Sequence, residues 1–395
     1  ISGVWGIVAC FFAFTAAQPY ALLDWNTFLQ DVTEQSEMVR RIRDYPYTRQ
    51  YLETTPYFYQ LIQLGRWGLG WPLAIVSATG LLWAVVAGMK FKYGIVTIVF
   101  CIVSPAVILV SNNNALLIAA ASAICVLSLL LTIPFRQKAN TGSILFLSWV
   151  LPYFLITGSF EVKFIRYMLP AIPIMSIFGS ALIFMCLDSD SLFRRISSVL
   201  LLMLTLAITI GYGISLTNIY SEKHTAVRAA EWLNENGEKG SLILKEHWEE
   251  SLPNLGKFKI EELPIYENDN FIKLTRLSES LSRAEYLVIF SNRLYGTVSR
   301  IEDRYPNMTS YYDSLFTGDL GYKLVLMETS YLSLFGVSLK EDTFQYPGLA
   351  DPTPLSKSAK HPKGIDVGFA DESFSVYDHP KVMIFKNEGQ LSPES

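Results

Sequence analysis

The chain has 395 residues, of which 51% are hydrophobic and only 17% charged, and its mean hydropathy is +0.29. With the apolar residues gathered before Thr217, that balance excludes an ordinary soluble protein and reads as a membrane region followed by a polar one. A net charge of -4 without a dense basic face excludes a nucleic-acid partner.

In chain order, residues 1–17 form an apolar run that opens Ile1-Ser2-Gly3 with neither an initiator Met nor a basic n-region, so the sequence reads as the later part of a longer protein. Residues 18–66 are polar and aromatic. Phe28, Leu29, Val32, Val39 and Ile42 share one face of a helix predicted over 25–43 on the membrane surface. Tyr45, Tyr47, Tyr51, Tyr57 and Tyr59 follow among prolines, as expected of an irregular interfacial loop.

Further spans are predicted over 67–89, 93–111, 115–135, 143–157, 168–187 and 196–216, each near the roughly 20 residues that cross a hydrocarbon core. With 1–17, about seven spans are expected. Lys90, Lys92, Arg136, Lys138, Arg194 and Arg195 fall on one side of this topology and Lys163 and Arg166 on the other. The positive-inside rule then puts the 18–66 loop, the Lys163 stretch and everything after Thr217 on the outer face.

From residue 217 to 395 the composition is that of a soluble domain. Helices are predicted over 225–236, ending at Gly237, over 271–284, and over 299–316 with a break at Pro306. Strands are predicted over 241–244, 286–290 and 322–329, a loop over 346–364, and a closing hairpin over 374–386 around His379-Pro380. The fold class expected is therefore an α-helical polytopic membrane region (1–216) followed by a small extracytoplasmic α/β domain with a partly parallel sheet (217–395).

The chemistry concentrates at Phe160-Glu-Val-Lys-Phe-Ile-Arg-Tyr-Met-Leu-Pro-Ala-Ile-Pro173, where Lys163, Arg166 and Tyr167 stand at the mouth of an apolar segment. Paired cations there suit a lipid-linked phosphate. The plainer reading is two basic anchors that set the depth of the helix. Arg49, Tyr51, Tyr47 and Tyr57, with Asp24, Asp44, Tyr45 and Tyr59, are candidates for a sugar or polyprenol groove or, equally, for an aromatic belt. His224, His247, His361 and His379 have no metal-ligand spacing, and there is no nucleophile elbow, P-loop or dinucleotide fingerprint. No cofactor is evident, and the sequence leaves divalent metal open.

The Lys-x-x-Arg-Tyr-x-Leu-Pro stretch at 163–170 resembles the late membrane segment of the GT-C polyprenyl-phosphate-dependent glycosyltransferases, the group that holds protein O-mannosyltransferases and the aminoarabinose transferases of lipid A. Tyr45-Pro-Tyr-Thr-Arg-Gln-Tyr, Trp67-Gly-Leu-Gly-Trp-Pro-Leu, Arg304-Tyr-Pro and Tyr377-Asp-His-Pro are similar to the same group. The resemblance implies transfer of a sugar from a polyprenyl-phosphate donor to a protein, lipid or glycan acceptor on the outer face. It assigns donor-phosphate binding to Lys163, Arg166 and Tyr167. The family's catalytic carboxylate would precede Ile1, so no residue here takes that role. Two other readings stay open: a non-catalytic membrane scaffold or polysaccharide-assembly component with a glycan- or partner-binding outer domain, and, disfavoured by the scarcity of charges within the spans, a transporter.

Overall fold

The computed structural model describes residues 2–86, 141–344, 349 and 364–392. The spans expected at 93–111 and 115–135 lie outside the described residues, as do the end of the 67–89 span, His361 and nearly all of the 346–364 loop. The N-terminal part comprises α1 (Ser2–Ala17), α2 (Tyr20–Leu23), α3 (Trp25–Val39), a 3-10 turn (Pro46–Tyr51), α4 (Phe58–Gln63) and α5 (Trp71–Val86). After the undescribed stretch come α6 (Thr141–Gly158), a second 3-10 turn (Ile165–Ala171), α7 (Ile172–Leu187) and α8 (Leu192–Thr217).

Among the described residues, two helical stretches hold an apolar window long enough to cross a membrane, Ile165–Leu187 and Leu192–Asn236. This corrects the expectation of an α-helical polytopic region of about seven spans: the other apolar helical stretches among the described residues are shorter, Trp5–Ala17, Trp71–Val85 and Leu145–Gly158. The span expected from Trp67 begins as a helix only at Trp71, because Leu64–Gly68 is a π turn and Gly70 follows with φ of +74°. In α6, Pro152 removes one internal hydrogen bond.

α5 and α7 pack side by side, and α8 lies against both. Gly80 and Gly179 permit the close approach: a Cβ on Gly179 would sit 3.0 Å from the Ser77 Cα. Small residues at a helix crossing let the two backbones meet directly.

The polar half begins with α9 (Thr225–Asn236), whose first turn is capped by His224 Nδ1 accepting from the Ala226 amide at 3.1 Å. A five-stranded sheet follows in the order β2-β1-β3-β8-β4, from β1 (Leu242–Glu246), β2 (Lys259–Leu263), β3 (Tyr286–Ile289), β4 (Tyr322–Glu328) and β8 (Val382–Asn387). β2, β1 and β3 are parallel, whereas β8 is antiparallel to β3 and β4. α9 packs its Ala226, Ala229, Ala230 and Leu233 onto one face with Ile243, Val288 and Ile384. α10 (Phe271–Arg283) and α12 (Pro306–Thr317) cover the other, where Leu277, Leu281, Tyr312 and Phe316 meet Leu244, Leu287 and Phe385. α11 (Tyr295–Val298) is a single turn between them. A smaller sheet, β5 (Leu332–Leu334), β6 (Val337–Asp342) and β7 (Gly364–Phe369), lies against α8 through β5.

The closing hairpin expected over 374–386 does not form. Phe374 and Ser375 belong to the helical turn α13 (Glu372–Ser375), and β8 finds its partners in β3 and β4 rather than in its own upstream residues.

Candidate functional site

The Lys163 stretch is held from outside itself. The amides of Glu161 and Val162 both donate to the Val39 carbonyl, at 3.0 and 3.2 Å, which ties the approach to α7 onto the C-terminus of α3. Lys163 is then buried, and its Nζ donates to the Glu161 carbonyl at 3.0 Å. Burial pushes the Lys163 ammonium down to about 8, with Arg41 adding to the shift and Glu161 opposing it. Arg41, in a left-handed conformation one residue past the end cap of α3, gives Nη2 to the Thr48 carbonyl at 3.1 Å. Its Nε and Nη1 are buried without a hydrogen-bond partner among the described residues. Arg166 is exposed, with its guanidinium 4.0 Å from the Phe164 ring centroid and 5.8 Å from that of Tyr167. Within the described residues none of these three cations forms an ion pair within 4.0 Å.

Rings wall this cation group. Phe164 stacks on Tyr47 at 6.3 Å and meets Tyr51 and Tyr167 edge-on at 5.3 and 5.6 Å. Trp248, contributed by the sheet domain, closes on Tyr47 at 6.2 Å. The structure thus brings Tyr47, Tyr51 and Tyr167 together with Lys163 and Arg166. Tyr57 is not among them: it packs on Phe154 at 5.6 Å and donates its hydroxyl to the Leu155 carbonyl at 2.8 Å.

Arg49 serves a different purpose from lining a groove. The 3-10 turn Pro46–Tyr51 buries it, Nε and Nη2 bind the Asp44 carboxylate at 3.1 and 2.9 Å, and Nη1 reaches the Tyr266 carbonyl and the Tyr305 hydroxyl of the sheet domain. Arg304 binds the same carboxylate at 2.8 Å. Burial works to raise the Asp44 pKa, but the bonds from Arg49 and Arg304 outweigh it and hold the carboxyl below its ordinary value. Gln50 and Tyr59 add further ties to the domain, donating to Glu372 at 2.8 Å and to Asp371 at 2.7 Å. Asp24 caps α3 through the Thr27 amide at 3.3 Å.

Sequence reasoning missed Arg41 and Trp248. Arg41 reads as one more charge at the end of a surface helix, and Trp248 lies 81 residues beyond Tyr167, so only tertiary structure reveals either one. No group of three or more His, Cys, Asp or Glu among the described residues is arranged to hold a metal ion. His247 pairs with Glu262 at 2.7 Å, and His379 is buried against the Phe374 ring.

Comparison of the chain with known protein families, with curated proteins and with solved structures found no match.

Proposed function

We propose that this chain belongs to a membrane glycosyltransferase that takes a sugar from a polyprenyl-phosphate carrier. The observation that supports this reading is that Arg41, Lys163 and Arg166 form no ion pair among the described residues, and that Arg166 lies on Phe164 and Tyr167 in a ring cluster that Tyr47 and Trp248 extend. A phosphate diester needs several donors at once, and a prenyl or sugar unit needs flat apolar faces next to them. Holding the departing phosphate at Arg166 would stabilise the charge that develops as the glycosidic bond breaks, with the nearby charges of Lys163 and Arg41 adding to the positive field. No residue of this chain is assigned as the general base on the acceptor, which is a hydroxyl- or amine-bearing protein, lipid or glycan.

In this reading the chain is multi-pass. Arg194 and Arg195 follow the short turn between α7 and α8 and favour the cytoplasmic side for it, leaving the Lys163 stretch and the sheet domain on the outer face. Equilibrium binding of tritiated undecaprenyl phosphate to the protein in nanodiscs tests the assignment. Arg166→Ala should weaken binding by roughly tenfold, as expected for loss of a charge-assisted hydrogen bond. Equal binding by the variant would refute the phosphate role.

One observation favours a second reading, a non-catalytic scaffold. The carboxylates near the ring wall, Asp44, Asp371 and Glu372, are all bonded to groups of the chain itself. Sugar transfer by the protein in membranes separates the two.

A further inference from the structure

We infer that the tip of the β5–β6 hairpin, together with Ile365 of β7, is inserted into the lipid interface next to α8. The small sheet has two unlike faces. Leu332 pairs with Leu339, Leu334 with Val337, and Leu339 with Ile365, so these five apolar side chains share one face. Ser333, Ser338, Lys340 and Asp366 share the other. Such a sheet needs an apolar surface on one side only.

The apolar face meets α8 at its base and continues past it. Asn218, which follows α8, donates to the Ser333 carbonyl at 2.7 Å, and the Leu334 side chain lies 3.4 Å from where a Cβ on Gly211 would be. The hairpin therefore runs back along the last two turns of α8 toward its apolar middle. Counting about 20 residues of hydrocarbon from Ile196, after Arg194 and Arg195, reaches Ser215, so Gly211 is one turn inside the bilayer. Beyond that contact Phe335 is 96% exposed, and Val337 and Ile365 are 46% and 60% exposed. Ile210 and Ile214 of α8 are exposed too.

The turn itself points the same way. Leu334 and Val337 are paired, which makes Phe335-Gly336 a two-residue loop with φ of +51° and +79°. Turns of this kind favour Asn-Gly or Asp-Gly, and a bulky aromatic at the first position is uncommon. A ring held outward at an unfavourable backbone position suits an apolar surrounding that water does not supply.

The inference rests on α8 crossing a membrane and not on sugar transfer. The test is a nitroxide label on Phe335→Cys in a chain whose four native cysteines are replaced by alanine, reconstituted in phosphatidylcholine nanodiscs. Relaxation by dissolved oxygen should exceed relaxation by a polar nickel chelate, with the reverse at Asp366→Cys on the polar face. Leu204→Cys, exposed in the middle of α8, is the lipid reference. If Leu204 reports lipid while Phe335 reports water, or if Phe335 is shielded from both reagents by a second copy of the chain, the insertion is refuted. If both sites report water, the membrane crossing falls and the inference with it.

Discussion

Gly80 of α5 faces Phe178 of α7 so closely that a Cβ on the glycine would lie 2.2 Å from the Phe178 carbonyl oxygen. The obstacle is backbone, which no rotamer change relieves. Gly80→Val should therefore force the helices apart and cost about 1–3 kcal/mol of stability, as other overpacked crossings do. Thermal unfolding in detergent reads this directly, and an unchanged midpoint would mean that α5 and α7 do not cross at this residue.

Arg293 and Glu372 form the buried pair beneath the junction of the two halves, with Nη2 to Oε1 at 2.6 Å and the other carboxylate oxygen accepting from Gln50. Arg293→Met leaves Glu372 buried without its cation and should destabilise the fold by roughly 3–5 kcal/mol. Adding Glu372→Gln to it should restore part of the loss, so that the double variant unfolds above the single one. Additive losses would show that the pair is not coupled.

Glu246 is buried at the end of β1, with the Tyr312 hydroxyl donating to one oxygen and the other oxygen unbonded among the described residues. Burial raises its pKa from 4.5 to about 8, and the nearby Glu249 adds to the shift. A carboxyl that is neutral when folded and ionised when unfolded makes the folded state bind more protons, so stability falls as pH rises from about 4.5 toward 8. Melting temperatures across that range should decline in the native protein and decline less in Glu246→Gln. Parallel profiles would place the pH dependence elsewhere.

Lys163 gives a second pH signature, this time in binding. With the ammonium lowered to about 8 by burial, an anion that needs it charged should bind with constant affinity below that pH and progressively more weakly above it. Lys163→Met should bind weakly at pH 7 and lose the dependence between pH 7 and 9. An affinity that falls equally in both proteins would take Lys163 out of the anion site.

Local pattern was legible in the sequence and long-range pairing was not. Helix α9 ends at Asn236 before Gly237 as its periodicity predicts, and α10 spans Phe271–Arg283 because its apolar positions repeat at helical spacing. By contrast β2, Lys-Ile-Glu-Glu-Leu, carries too much charge to read as a strand, and it forms because β1 offers a parallel edge. Hydrophobicity alone overstated the spans, since it does not register that Gly70 and the π turn at 64–68 delay a helix. At the candidate site, Lys163 and Arg166 are visible as charge in an apolar setting, with Tyr167 beside them. Arg49 looks equivalent in sequence, yet its contacts with Tyr266 and Tyr305, more than 200 residues away, turn it inward.

Donor-phosphate recognition is proposed for Lys163 and Arg166, before α7, with Arg41 after α3. It is tested by transfer of radiolabelled sugar from membrane polyprenyl-phosphate donors by the protein, compared with Arg166→Ala, Arg41→Ala and a surface control, Lys239→Ala. Transfer that drops at least tenfold in the two site variants and not in the control is the predicted result. Transfer equal in all four proteins, each folded and in the membrane, would contradict the account.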